Sequence, residues 1–72
     1  MEDGEKREVR FGVTAVRKGY VTPEQVVDAL GEQVREDLTA GGHRPIGRIF
    51  VEGGLMDLSQ LREVLEFLKE KG

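Results

Sequence analysis

The stretch Gly19-Tyr20-Val21-Thr22-Pro23-Glu24-Gln25-Val26 has a near copy thirty-five positions on, Gly54-Leu55-Met56-Asp57-Leu58-Ser59-Gln60-Leu61. Each runs glycine, two apolar residues, a capping residue, two free positions, glutamine and an aliphatic. Glycine directly after a helical run suits the C′ position, where a left-handed backbone carries no Cβ penalty. Thr22 and Asp57 are N-cap residues, and Gln25 and Gln60 fall three places later at N3, as a capping box requires. Pro23 lands at N1, where a missing N–H costs nothing. Val21 with Val26, and Met56 with Leu61, are placed as hydrophobic staples. Gly19, Thr22, Gln25, Gly54, Asp57 and Gln60 therefore form structural punctuation. Each copy ends one helix, turns in about three residues and starts the next.

The flanking patterns agree. Val9, Val13, Val16 and Tyr20 recur at helical spacing, with Phe11 and Ala15 alongside. Val26, Val27, Leu30, Val34 and Leu38 continue the second helix. Ile46, Ile49 and Phe50 make a short third stripe, and Leu58, Leu61, Leu65 and Leu68 a fourth. The expected fold is all-α, with four short helices at about 8–18, 23–38, 46–52 and 58–70, arranged as two tandem αα-hairpins. The run RIFVEGG, residues 48–54, also fits a short strand, because Ile, Phe and Val favour β structure. One hairpin cannot bury its apolar face alone, whereas two can cover each other. Residues 1–7 read as a disordered tail and 8–72 as a single helical domain. Unit one spans 10–33, the linker 34–44 and unit two 45–68.

Composition narrows the function. The chain has 72 residues, no Cys and a single His, His43, in a Gly-rich turn. Neither disulfides nor a zinc site can staple it. No apolar run approaches membrane-spanning length, and the charged start is no secretory signal. We expect a soluble, cytoplasmic protein. The sequence offers no Ser/His/Asp or Cys/His set, phosphate loop or metal spacing, so we expect neither enzyme activity nor a cofactor or metal. The net charge is −3. Residues 6–18 are basic and residues 24–37 acidic, which suits two helix faces of opposite sign. A DNA-binding helix-turn-helix would need a basic recognition helix, and the acidic 23–38 segment would repel phosphate.

A second pair of glycines, Gly12 and Gly47, lies seven residues before Gly19 and Gly54. The units RFGVTAVRKGYVTPEQVVDALGEQ, residues 10–33, and PIGRIFVEGGLMDLSQLREVLEFL, residues 45–68, resemble the N-terminal domain of type II secretion and type IV pilus assembly ATPases. This is the MshEN or GspE N-terminal family, here without the ATPase domain. The resemblance implies a regulatory or protein-interaction module that docks on a partner in a secretion or pilus machine. It also implies an alternative, a cyclic di-GMP sensor. The matching positions for that ligand are Arg10, Phe11, Gly12, Val26, Leu30 and Gln33, with Arg44, one position before unit two, and Gly47 within it. A guanidinium can stack on guanine or pair with phosphate. Unit two departs from the pattern: Pro45 stands where the basic residue belongs, and Leu68 replaces the final Gln. For a docking face, we expect some of Phe11, Tyr20, Phe50, Leu58 and Phe67 to stay exposed.

Overall fold

The computed structural model describes residues 2–39 and 44–71. It holds four helices: α1, Glu2–Arg17; α2, Pro23–Thr39; α3, Ile46–Glu52; and α4, Leu58–Lys71. No strand occurs among the described residues, so RIFVEGG is helical over most of its length. The all-α expectation holds. His43 and most of the Gly-rich turn lie outside the described residues.

Two boundaries differ from the sequence reading. α1 begins at Glu2 rather than near residue 8, so residues 2–7 are helix and not tail. α2 runs to Thr39, so the first half of the expected linker 34–44 is also helix.

The turns explain why the helices stop. After α1, Gly19 has φ +80°, Tyr20 N–H donates to the Ala15 carbonyl (2.9 Å) and Gly19 N–H to Val16 (2.9 Å). After α3, Gly54 has φ +80°, Leu55 N–H donates to Phe50 (2.9 Å) and Gly54 N–H to Val51 (3.1 Å). Both are Schellman closures. The reciprocal caps follow. Gln25 N–H donates to Thr22 Oγ1 (3.1 Å) while Thr22 N–H donates to Gln25 Oε1 (2.9 Å). Gln60 N–H donates to Asp57 Oδ1 (2.8 Å), and Asp57 N–H to Gln60 Oε1 (3.0 Å).

α1 packs against all three other helices, whereas α2 and α4 do not meet. The core therefore gathers around α1 and the short α3. Phe50, Ile46 and Val64 are its largest fully buried side chains, with Phe11, Ala15, Val21, Ala29 and Met56 around them. The Phe11 and Phe50 rings lie 6.3 Å apart and tilted. Such a pair adds roughly 0.5–1.5 kcal/mol beyond the area it buries.

Buried positions recur at the spacing of the two turns. Phe11 and Ile46, Gly12 and Gly47, Ala15 and Phe50, Val21 and Met56, and Ala29 and Val64 are each thirty-five residues apart and all buried. A Cβ on Gly12 would sit 2.7 Å from Val26 Cγ1, and one on Gly47 would sit 2.5 Å from Leu61 Cδ1. Val26 and Leu61 are again thirty-five apart. Both glycines let neighbouring side chains close onto a bare helix surface.

Candidate interaction surfaces

The residues matched to a nucleotide ligand fall into three environments. Arg10 is exposed and carries no ion pair with any described residue. Phe11, Gly12 and Gly47 belong to the packed interior, and Val26 and Leu30 are half-buried against it. Gln33 is only 5 % exposed. The space a ligand would need beside Gly12 or Gly47 is filled by Val26, Leu61 and Phe11.

Gln33 and Arg44 instead belong to an internal polar joint. Glu8 Oε2, reaching from α1, accepts the Ile46 backbone N–H (2.6 Å) and the Gln33 amide (3.2 Å). The same Gln33 nitrogen donates to the Arg44 carbonyl (2.8 Å). Ile46 opens α3, and its N-cap residue, Pro45, makes no side-chain cap bond. Glu8 thus caps α3 from another helix, placing a carboxylate where the orphan N–H groups and the helix dipole favour one.

The Arg44 guanidinium is neutralised by Glu36 of α2 and Glu52 of α3, and Arg48 also reaches Glu52 (2.8 Å). The hydrogen bond from Arg44 holds the Glu36 carboxyl below its usual range. Arg48 first, then Arg44, does the same for Glu52. The two carboxylates hold Arg44 protonated well past its usual value. Across the molecule, Glu63 of α4 accepts from Tyr20 OH (2.6 Å) and Lys18 Nζ (3.0 Å), tying the α1 end to α4. These bonds, Tyr20 first, lower Glu63, and Glu63 in turn raises the Tyr20 phenol. Lys18 also sits 5.0 Å over the Phe67 ring.

Two other features reach the surface. A shallow depression of about 370 Å³ between α2 and α3 is lined by Asp28, Glu32, Arg35, Ile49 and Leu55, among others. Its walls carry both signs of charge, and no cluster among the described residues could hold a metal ion. The second feature is an apolar face. Of the five candidates for exposure, Phe11 and Phe50 are buried because they fill the centre between α1 and α3. Tyr20 is half-buried, while Leu58 (61 % exposed) and Phe67 (37 %) do reach solvent. The larger group is one the sequence reading passed over as core: Val9 and Val13 on α1, and Val27, Val34 and Leu38 on α2. The signal was available, since Val27, Val34 and Leu38 sit on the opposite side of a helical wheel from Ala29 and Gln33.

Among the described residues, the fold and its surfaces define a small four-helix protein with a packed core, an apolar strip on α1 and α2, and further exposed apolar side chains, Leu58, Leu65 and Phe67, on α4. Comparison of the chain with protein-family models, curated proteins and solved structures gives no match. No helix among the described residues is long and apolar enough to cross a membrane.

Proposed function

We propose that this protein is a non-catalytic interaction module that binds a protein partner through the outer face of the α1–α2 pair. The observation that carries this reading is the exposure of Val13 (45 %), Val27 (67 %) and Val34 (57 %) where the fold does not need apolar residues. The positions thirty-five residues later are Arg48, Arg62 and Lys69, all exposed and charged. At these three pairs of positions the second half carries charged residues and the first half valines, while Leu58 and Leu65 are the exposed apolar residues of α4. An apolar patch kept at solvent-facing positions marks a binding surface. The resemblance to secretion and pilus ATPase N-terminal domains makes a docking role in such a machine the more specific form of the proposal.

The test is site-specific photo-crosslinking in expressing cells. A photoreactive residue at Val27 or Val34 is expected to give a discrete protein adduct, whereas one at Arg62 gives none. Equal labelling at both faces, or none at either, refutes the reading. An amide-shift titration with cyclic di-GMP is expected to be flat to millimolar ligand; saturable shifts at Arg10 and Gln33 would favour the nucleotide sensor instead.

A further inference from the structure

We infer that the partner of the α1–α2 face is a second copy of this chain. The inference rests on the interaction reading above and adds the identity of the occupant. It comes from the charge that borders the apolar strip. On a helical wheel of α1, Val9 and Val13 are followed, on the side away from α2, by Arg10 and Arg17. On α2, Val27 and Val34 are followed, on the side away from α1, by Glu24 and Asp28, with Arg35 further along that edge beside Glu32 (3.7 Å). Arg10, Arg17, Glu24 and Asp28 are exposed and have no ion pair with any described residue. The face is therefore an apolar strip with a basic border on one side and an acidic border on the other.

Such a face is complementary to itself under one arrangement. A twofold axis parallel to the helices, lying over the strip, places α1 of one copy on α2 of the other. That rotation leaves every residue at its own height along the axis. The register within one chain then decides which residues meet between chains. Glu8 bonds Gln33, and Gly12 lies beneath Val26, which fixes the relative heights of α1 and α2. By that register Arg17 stands level with Glu24, Arg10 with Asp28, and Val13 with Val27. The valines meet in the middle and both charged borders meet their opposites. A heterologous partner would need a matching charge pattern of its own; a second copy already has it.

The strip is about 25 Å long by the rise of a 17-residue helix, and about 20 Å wide for two packed helices. Face-to-face contact would bury on the order of 1,000 Å² in total, the lower limit of specific interfaces. The expected association is therefore reversible, with a Kd of roughly 10–100 μM.

The experiment is sedimentation equilibrium of the purified full chain from about 5 μM to 1 mM in low salt, where surface charge pairs are least screened. The mass is expected to rise from 8.0 kDa towards twice that value. Val27→Arg, which installs the residue found at position 62, is expected to raise Kd at least tenfold while the helical circular dichroism is unchanged. Arg10→Glu and Asp28→Arg are each expected to weaken the dimer several-fold, and the double swap to restore it. A chain that stays monomeric at 1 mM, or a double swap no tighter than the single variants, overturns the proposal. If that monomer still crosslinks another protein at Val27, the module reading survives and only the identity of the partner falls.

Discussion

Replacing Glu8 by alanine removes the joint that ties α1, α2 and the start of α3 together. The Ile46 N–H would lose its acceptor at a helix start that has no other side-chain cap. Losing an N-cap costs about 0.5–2 kcal/mol. The buried Gln33 amide would keep the Arg44 carbonyl but lose its second acceptor, which adds on the order of 1 kcal/mol. The sum is roughly 1–3 kcal/mol, and each kcal/mol shifts the melting temperature of so small a domain by about 4–8 °C. Thermal melts at pH 7, followed by circular dichroism, should show Tm lower by roughly 5–20 °C. Amide exchange supplies the local readout: the Ile46 N–H should exchange faster in Glu8→Ala than global destabilisation alone accounts for. Glu66→Ala, at an exposed position on α4, serves as the control and should stay within about 0.5 kcal/mol of wild type. A Glu8→Ala protein that melts within about 2 °C of wild type with Ile46 still protected would show that the cap contributes nothing.

The two Schellman glycines offer a matched pair. Gly19 and Gly54 share φ +80°, and neither has a neighbour within 4 Å of a would-be Cβ, so only backbone strain opposes alanine. Gly19→Ala and Gly54→Ala should each cost about 1–2 kcal/mol, read as similar drops in Tm; a large difference would implicate contacts rather than conformation. Stability should also depend on pH at both ends. Glu36, Glu52 and Glu63 sit below the usual 4.5 in the folded chain. Their contribution is complete above 4.5 and is lost as pH falls through the lower folded values. Tyr20 sits above the usual 10.0, so its contribution is complete below 10 and is lost as pH rises through the folded value. Denaturant titrations across pH should give a plateau that falls at both extremes; Glu63→Gln should blunt both falls, and an unchanged profile in that variant would refute the assignment.

Local chemistry was legible and distant chemistry was not. The caps at Thr22 and Asp57 and the stops at Gly19 and Gly54 join residues at most six apart, so spacing alone reveals them. α3 illustrates a local conflict: its β-favouring residues are overridden because Ile46 and Phe50, one turn apart, both reach the core, and Gly54 ends a helix rather than a strand. Glu8, Gln33 and Ile46 are separated by 25 and 38 residues, and no periodic pattern connects them. Gln33 on a mostly polar helix surface reads as exposed until the fold brings a carboxylate and a carbonyl to it. The apolar outer face was hidden for another reason. α2 carries valine or leucine on both sides of the wheel, and the sequence reading assigned them all to the core.

The unequal lengths of α1 and α3 connect the stability of this fold to its outer surface. α3 has seven residues where α1 has sixteen; it begins at Ile46, and its N-cap residue, Pro45, makes no side-chain cap bond. The longer α1 supplies that cap through Glu8, pointing inward. Its next two residues, Val9 and Arg10, turn outward and join the apolar strip and its basic border. One turn of α1 thus fixes α3 on its inner side and shapes the binding face on its outer side. The corresponding position to Val9 is Arg44, whose side chain is committed to Glu36 and Glu52. The second half of the chain uses that position to brace α2 against α3, so the apolar strip of α1 and α2 has no counterpart there at this position.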